Sequence, residues 1–375
     1  MDNIDNSFNR FWYIRIIIAI IVLTLTVKFA LSSPAHLSES DSELIIKNAA
    51  FEVSEIITDA VTEEIPSTTE KTTEEKTTEK ILTVNSSEKY ETPEDIIKTE
   101  QEYISAYSGA AEGGSVEEVF FRTSGATDTI SGIAIKNSTA TKKPDFSALI
   151  NEGPELSISD KSEPVVLIFH THTTESYLMT DNGIFYTDYK TRSEDSSKNM
   201  VRVGDAICSV LEKNGIGYIH DTDIYDKNYD GAYSRSRISV ERYLEEYPSI
   251  QIVIDVHRDA IYYSDTSRCK PTAEIDGKKA AQLMIISGAE EGYITDFPYW
   301  EDNLRFSLCF QKTAEEMYPG LMKPLYFCQR KYNMDVTKCS FLLEVGTDAN
   351  TLEEAVYSGY LTGNVLSEII KGVTE

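Results

Sequence analysis

The chain has 375 residues, enough for one large or two small domains, and 41% of them are hydrophobic, so it can bury a core. The formal net charge is −27, from 62 acidic and 35 basic residues. This balance argues against nucleic-acid binding, which requires a basic surface. Five cysteines occur without a CxxC pair, so we expect no cysteine zinc site and interpret them as buried thiols that pack as small apolar side chains.

An apolar segment lies near the N-terminus. Residues 16–27 form an unbroken run of apolar residues and threonine between Arg15 and Lys28. Extended to residues 11–31, the run reaches the length of about 20 residues that spans a bilayer. We therefore expect residues 1–32 to be an uncleaved membrane anchor, with a cleaved signal peptide as the alternative. In either case the rest of the chain is exported, so the expected location is the extracytoplasmic side of the cell membrane.

Residues 33–114 lack the composition of a folded domain. Residues 68–80 read TTEKTTEEKTTEK, a crude repeat of threonine, glutamate and lysine. Apolar residues are too sparse here to offset the loss of chain entropy on folding. The range 33–114 is therefore predicted to be a disordered linker between the membrane and a folded domain.

From residue 115 to residue 375, strand-like and helix-like segments alternate. The first strand is the wholly apolar run PVVLIF at residues 164–169, which is typical of a strand buried on both faces. A helix follows at residues 199–214, where apolar residues recur at helical spacing and Gly215 ends the helix. Further strands are predicted at residues 216–220, 250–256, 281–286 and 340–345, and further helices at residues 234–247, 304–318 and 351–370. This alternation predicts an α/β fold with one mostly parallel sheet and helices on both faces.

Three of the predicted strands end in residues that can bind a metal ion or transfer a proton. The strand at 164–169 is followed by His170, His172 and Glu175. The strand at 250–256 is followed by His257, and the last strand contains Glu344 near its end. Because ligands bind beyond the carboxyl ends of strands in open α/β sheets, we expect these side chains to meet at one edge.

Two imidazoles and a carboxylate form a ligand set that zinc uses in catalytic sites, where a fourth position stays open. We assign His172 and His257 as ligands, Glu175 as the carboxylate ligand, and His170 as a reserve ligand or a group that supports one. Residues two apart in a strand face the same side, so facing alone does not separate His170 from His172. Glu344 is assigned as the catalytic base, because a glutamate in an apolar strand is otherwise costly to place. A salt bridge to a lysine or arginine is the alternative for Glu344.

Three arginines are candidates for binding the carboxylates of a substrate. Arg258 follows His257 directly, and Arg235 and Arg237 lie at the start of a predicted helix. A guanidinium group can bind a carboxylate through two parallel hydrogen bonds. His220 has no neighbouring ligand in the sequence, so we interpret it as a structural residue.

Four long stretches of the sequence resemble one known family. They read, in chain order, VVLIFHTHTTESY, NMVRVGDAICSVLEKNGIGYIHD, YSRSRISVERYLEEYPSIQIVIDVHRDA and FLLEVGTDANTLEEA. They are similar to the stage II sporulation protein P family, and the resemblance runs from about residue 132 to the C-terminus. The apolar N-terminus and the variable linker also look like that family.

The resemblance implies a peptidoglycan hydrolase of endospore-forming bacteria with a fold like that of the zinc N-acetylmuramoyl-L-alanine amidases. It implies cleavage of the amide between N-acetylmuramic acid and L-alanine, and of peptide cross-links, in septal wall thinning and engulfment. Stage II sporulation proteins D and M are implied as partners at the septal membrane.

The family motifs correspond here to His170, His172, Glu175, His257 and Glu344. The related zinc amidases have a Gly-His-Gly turn after the first strand, whereas the turn here reads Thr-His-Thr. Glu194 or Asp195 is therefore the alternative carboxylate ligand. Two other functions stay open at this point: an exported zinc polysaccharide deacetylase and a non-catalytic scaffold that binds peptidoglycan. The choice between amidase and endopeptidase activity is not determined by the sequence.

Overall fold

A computed structural model describes residues 90–374 of the chain. The predicted anchor and residues 33–89 of the predicted linker lie outside this range. Within the described residues, no helix has both the length and the apolar character needed to cross a membrane. Helix α1 (Glu94–Ala106) falls inside the range predicted as linker, so folded structure begins before residue 115. Ile96 and Tyr103 of this helix are buried against the core, which stabilises a stretch that is otherwise polar.

Thirteen strands occur in residues 90–374. They are β1 (Glu112–Val119), β2 (Asp128–Ile130), β3 (Ile133–Asn137), β4 (Pro164–Phe169), β5 (Ile184–Tyr186), β6 (Gly217–His220), β7 (Ile252–Asp259), β8 (Tyr262–Ser264), β9 (Ser267–Ile275), β10 (Lys278–Ala281), β11 (Leu283–Gly288), β12 (Leu325–Cys328) and β13 (Cys339–Thr347). The helices that follow α1 in this range are α2 (Phe146–Glu152), α3 (Met200–Lys213), α4 (Ala232–Glu246), α5 (Trp300–Met317) and α6 (Leu352–Thr374). The predicted strand at 164–169 is confirmed at both ends, and each other predicted element has an observed counterpart within a few residues.

Eight strands form the larger sheet, in the order β2-β3-β12-β11-β13-β7-β4-β6. The four strands β13, β7, β4 and β6 are parallel neighbours, whereas β11 is antiparallel to β13 and β2 is antiparallel to β3. The smaller sheet has the order β10-β9-β1-β5, with β8 also paired to β9. Only the β1–β9 pair of the smaller sheet is parallel among the described residues.

The α/β class is confirmed, but the prediction of one mostly parallel sheet is wrong, because the strands form two sheets and both are mixed. Tight hairpins account for part of the difference. Asp276 and Gly277, for example, both have positive φ angles of 50° and 75° and join β9 to β10 directly. A two-residue turn of this kind forces antiparallel pairing, whereas parallel strands require a long crossover.

Helices cover both faces of the larger sheet, as the sequence predicted. Val166 and Ile168 of β4 belong to the main core cluster, which includes buried residues of α3, α5 and α6. Leu167 and Phe169 alternate with them and pack on the other face with Val240 of α4. The alternation explains why β4 is apolar at every position. The same alternation determines which side chains at the ends of the strands point toward α4.

Candidate functional site

The carboxyl ends of β4, β7 and β13 lie side by side, and the strand register brings two of the predicted residues together. Glu344 of β13 is paired with His257 of β7. His257 follows Val253 and Asp255 at intervals of two, so all three side chains point to the α4 face of the sheet. Leu342 of β13 likewise lies outside the main core cluster. Glu344 is two residues further along this strand, so its side chain is on the same face as that of Leu342.

The structure brings His172 and His257 together across the edge of the sheet, as the sequence predicted. Their ring centroids are 5.3 Å apart and the ring planes are nearly perpendicular, at 88°. Both rings are buried, and Nδ1 of His172 and Nε2 of His257 have no hydrogen-bond partner within the described residues. Glu175 joins this cluster with its Oε2 atom 3.6 Å from Nδ1 of His257. Their role as metal ligands stays a prediction.

His170 is separated from this cluster by its own hydrogen bonds. Its Nδ1 donates to the backbone oxygen of Val256 at 2.9 Å, and its Nε2 lies 3.0 Å from Nε2 of His220. Burial and the nearby His220 ring lower the pKa of His170 to about 3, so the ring is neutral and Nε2 accepts the hydrogen bond. Both nitrogens are therefore occupied, which favours His172 over His170 as the residue that faces the site. His220 contacts His170 and, through Nδ1, Asp205 at 3.2 Å, and its interpretation as a structural residue stays a prediction.

Glu175 is a buried carboxylate held by several donors. The backbone N–H of Arg258 donates to its Oε2 at 3.2 Å, and Arg192 donates to its Oε1 at 3.3 Å. Burial alone would raise the pKa of Glu175, but the contact with His257 and the charge of Arg258 outweigh it and lower the pKa to about 2. Glu175 is thus ionised at neutral pH.

Glu344 has the opposite electrostatic environment. Its Oε2 atom is buried without a hydrogen-bond partner. Burial, together with repulsion from Asp259, raises the pKa of Glu344 to about 8. No ion pair joins Glu344 to a lysine or arginine among residues 90–374, so the structure gives no support to the salt-bridge alternative. A carboxyl group with a pKa near neutrality is suited to proton transfer.

Asp255 is a member of the cluster that the sequence reasoning missed. Its Oδ1 accepts from the backbone N–H of Thr171 at 2.8 Å, and its Oδ2 accepts from the Thr171 hydroxyl at 2.7 Å. Oδ1 also lies 2.8 Å from Nε2 of His257, although the two atoms are not aligned as a hydrogen bond. Although burial would lower the pKa of His257, Asp255 and Glu175 outweigh it and raise that pKa well above its usual value. A carboxylate inside the apolar run IQIVIDV was the signal that could have identified Asp255, because such a charge must be paired.

A second missed carboxylate supports the turn that carries His172. Asp226 accepts from the backbone N–H of Thr174 at 3.0 Å and from its hydroxyl at 2.7 Å. Arg192 donates to Asp226 at 2.7 Å and so bridges it to Glu175. Oδ2 of Asp226 lies 3.9 Å from Nδ1 of His172. Asp226 and Arg192 lie in irregular segments outside the strands and helices, where no local sequence pattern predicts their contacts.

Two imidazoles and one carboxylate fit zinc in donor type. The separation of 3.6 Å between Nδ1 of His257 and Oε2 of Glu175 is close to the edge of a zinc tetrahedron, about 3.4 Å for bonds of about 2.1 Å. Within residues 90–374, however, no three His, Cys, Asp or Glu side chains already converge on one point at which they could hold a metal ion. Binding a cation would therefore require the side chains to reorient, and Nδ1 of His172 and Nε2 of His257 have no hydrogen bond that this would break within the described residues.

A cleft of about 560 Å³ opens beside Glu175 and Glu344. Its lining includes four carboxylate residues, among them Glu175 and Glu344, and four basic residues, which are Lys190, Arg192, Arg258 and Arg268. Tyr229 also lines the cleft and stacks on the His172 ring, with centroids 4.5 Å apart and planes within 2°. Since Tyr229 is 62% exposed, it covers His172 on the side of the solvent.

Of the three arginines predicted to bind substrate, only Arg258 lines this cleft. Its guanidinium group donates to the backbone oxygens of Ser176 at 2.9 Å and Thr191 at 2.7 Å. Arg235 donates to backbone oxygens of the loop at residues 225–230, and Arg237 pairs with two carboxylates. These contacts stabilise loops, and the role of the three residues in substrate binding stays a prediction.

The alternative carboxylate ligands lie outside the cluster. Glu194 is exposed and pairs with Lys227 at 3.1 Å. Asp195 accepts hydrogen bonds from the backbone and hydroxyl of Ser197. Their environment therefore favours Glu175 over both.

The fold and the site together define an α/β protein with a buried histidine–carboxylate cluster at the carboxyl ends of parallel strands, open to a polar cleft. The chain belongs to the Stage II sporulation protein P family, whose model matches residues 34–371. Stage II sporulation protein P of Bacillus subtilis (strain 168) is 33% identical over 228 residues, which is 58% of this chain and 53% of that protein. The match thus spans about half the length of this curated relative.

Two solved structures show a weaker likeness. N-acetylmuramoyl-L-alanine amidase AmiC2 of Nostoc punctiforme matches at 10% identity and a TM-score of 0.35, over 58% of this chain and 99% of that one. The apo form of the N-acetylmuramyl-L-alanine amidase Ami1 of Mycobacterium abscessus matches at 10% identity and a TM-score of 0.32, over 56% and 99%. Likenesses at these TM-scores assign neither fold nor function, so the amidase-like architecture stays a prediction.

Proposed function

We propose that this protein is a zinc-dependent peptidoglycan hydrolase that cleaves the amide between N-acetylmuramic acid and L-alanine, and also peptide cross-links, in septal wall thinning and engulfment during sporulation. Family membership supports a role in sporulation. The observation that carries the enzymatic part is the cluster of His172, His257 and Glu175 with Glu344 beside it in strand register. A binding scaffold has no need of a buried carboxyl group with a pKa near neutrality next to two unpartnered imidazoles.

The residues of the cluster divide the work between binding and proton transfer. His172, His257 and Glu175 would hold the zinc ion. When bound, zinc acts as a Lewis acid toward a carbonyl oxygen and lowers the pKa of water. Glu344 takes the proton of the attacking water on Oε2 and passes it to the leaving amine. Its raised pKa suits both steps, because a catalytic acid–base group works best when its pKa is near the operating pH.

The surroundings of the cluster would position the substrate. Asp255 and Thr171 fix the turn between β4 and His172. Tyr229 limits the access of water to the His172 ring. The basic residues of the cleft suit a substrate that carries carboxylates, as stem peptides of peptidoglycan do. In the same proposal, residues 1–32 anchor the chain in the membrane, and stage II sporulation proteins D and M act with it.

Digestion of purified peptidoglycan by the full-length protein with zinc tests the proposal, with mass spectrometry of the soluble products. An amidase releases stem peptides whose N-terminal L-alanine is free, and the Glu344→Gln variant releases none. Release of acetate with intact stem peptides would instead identify a deacetylase. Binding to peptidoglycan without any soluble product, with or without the partner proteins, would contradict hydrolysis and support a scaffold.

A further inference from the structure

The part of the cleft that is lined by the smaller sheet contains side chains that have no role in the proposed hydrolysis. Arg268 of β9 and Tyr262 of β8 line it, together with Asp348, which directly follows β13. Lys190 is also part of the lining, is exposed, and has no charge partner among residues 90–374. The cleft lining as a whole has four basic and four acidic side chains, but the unpaired charge of Lys190 beside Arg268 is available to an anionic ligand group.

Arg268 is held in a fixed orientation. Its guanidinium carbon lies 3.8 Å from the centroid of the Phe185 ring and 5.7 Å from that of Tyr262. Nη1 donates to Oδ2 of Asp348 at 3.1 Å, and this is its only side-chain hydrogen bond to the described part of the chain. The side chain is 18% exposed. Nε and Nη2 are thus left for a ligand on a guanidinium plane that stacking has already ordered.

Asp348 holds Arg268 and retains one unused acceptor. Its side chain is 1% exposed, and its Oδ2 accepts from Arg268 and, at 2.9 Å, from the hydroxyl of Tyr262. Oδ1 has no hydrogen-bond partner within residues 90–374. A buried acceptor without a hydrogen bond is unfavourable, so a ligand that supplies an N–H to this atom gains affinity.

The position of Asp348 relative to Glu344 suits a bound peptide. Glu344 is paired with His257, and Thr347, just before Asp348, is paired with Asp259 further along the same two strands. Four residues of extended chain span at most about 14 Å, and the irregular register between Glu344 and Thr347 shortens this distance. A short peptide with its scissile amide near Glu344 therefore reaches Arg268 with its third or fourth residue.

We propose that Arg268, Asp348 and Tyr262 form a subsite for a free carboxylate on the peptide part of the substrate. Arg268 binds the carboxylate through Nε and Nη2, while Oδ1 of Asp348 accepts an N–H of the same segment. This inference rests on the proposed function, because it places the peptide in the cleft that the hydrolytic cluster faces. The expected substrates are therefore those whose stem peptide has an unamidated carboxylate at this distance from the cleaved bond.

Two probes that differ in one group test the subsite: N-acetylmuramoyl tripeptides that end in a carboxylate or in a carboxamide. Binding is measured by calorimetry with the full-length chain carrying Glu344→Gln, which prevents turnover. We expect the carboxylate probe to bind about tenfold more tightly, and Arg268→Gln to reduce this ratio to near one. Arg268→Lys keeps the charge and should restore part of the ratio. Arg242→Gln, an exposed position on α4 outside the cleft lining, should leave it unchanged.

The outcomes separate this inference from the proposed function. An unchanged ratio in a folded Arg268→Gln variant, or equal binding of both probes to the chain with Arg268, would overturn the subsite. Thermal unfolding of each variant identifies a loss of fold, and in that case Arg268→Lys decides. A ratio that depends on Arg268, together with no cleavage of either probe by the chain with Glu344 intact, would retain the subsite and refute the hydrolase.

Discussion

Replacement of Asp255 by asparagine tests whether this carboxylate orients His257 for metal binding. In the structure Asp255 has two partners, the Thr171 turn and the His257 ring. Asparagine keeps an oxygen for the Thr171 N–H, and its amide can donate to the Thr171 hydroxyl. The turn is therefore largely preserved, whereas the negative charge 2.8 Å from Nε2 of His257 is lost. Loss of such an outer carboxylate typically weakens metal binding 10- to 100-fold, about 1.4–2.7 kcal/mol.

The assay is competition for zinc against a chromophoric chelator, with thermal unfolding of the metal-free chain measured in parallel. Asp221→Asn is the matched control, since Asp221 is also buried and accepts from the hydroxyl of Tyr225 at 2.6 Å, but belongs to the end of another strand. We expect Asp221→Asn to reduce stability and to leave zinc affinity within about twofold. Equal zinc affinity in the Asp255→Asn variant and the unchanged chain would refute the orienting role. Equal losses of zinc affinity in both variants would show that the loss reflects reduced stability of the fold and not the orientation of His257.

Three stability predictions follow from packing and are tested by chemical denaturation. Gly204→Ala in α3 should destabilise the fold by about 1–3 kcal/mol, because its Cβ would lie 2.7 Å from Nε2 of the buried His170 and would also clash with the partly buried His220 ring. Gly372→Ala in α6 has open space and should stabilise by up to about 1 kcal/mol. Equal effects at the two glycines would contradict this. Lys270→Met should cost about 3–5 kcal/mol, since it leaves carboxylates around a buried ammonium group unpaired, whereas the half-exposed Lys279→Met should cost less than about 1 kcal/mol. Tyr177→Phe should cost about 1–3 kcal/mol through the lost hydrogen bond to a buried backbone oxygen, and no change would show that water replaces it.

The sequence predicted the elements of the larger sheet that are apolar along their whole length. The run at 164–169 is buried from Val165 onward, and a run of this kind has few alternatives to a central strand. The smaller sheet gave no comparable signal. Strand β1 reads EGGSVEEV and has no buried residue, and β9 contains Pro271 and a lysine whose burial depends on distant carboxylates. Pairing between such strands is decided by tertiary contacts that no local pattern shows.

Local sequence patterns also identified only part of the candidate site. His172, His257 and Glu344 follow or end apolar strands, so the rule that ligands bind at the carboxyl ends of strands brought them together correctly. The rule could not separate His170 from His172, because that choice depends on the Val256 oxygen and on a ring that arrives from β6. Residues supplied by loops and by the smaller sheet were missed for the same reason. Their positions follow from long-range packing.

The most direct test of the histidine cluster is the zinc content of the purified full-length variants, measured together with their activity on peptidoglycan. We expect His172→Ala and His257→Ala to lose bound zinc and activity, and Glu344→Gln to keep zinc and lose activity. Full zinc occupancy in both histidine variants, or undiminished hydrolysis by Glu344→Gln, would contradict a site in which these two imidazoles hold the metal and this carboxyl group moves the proton.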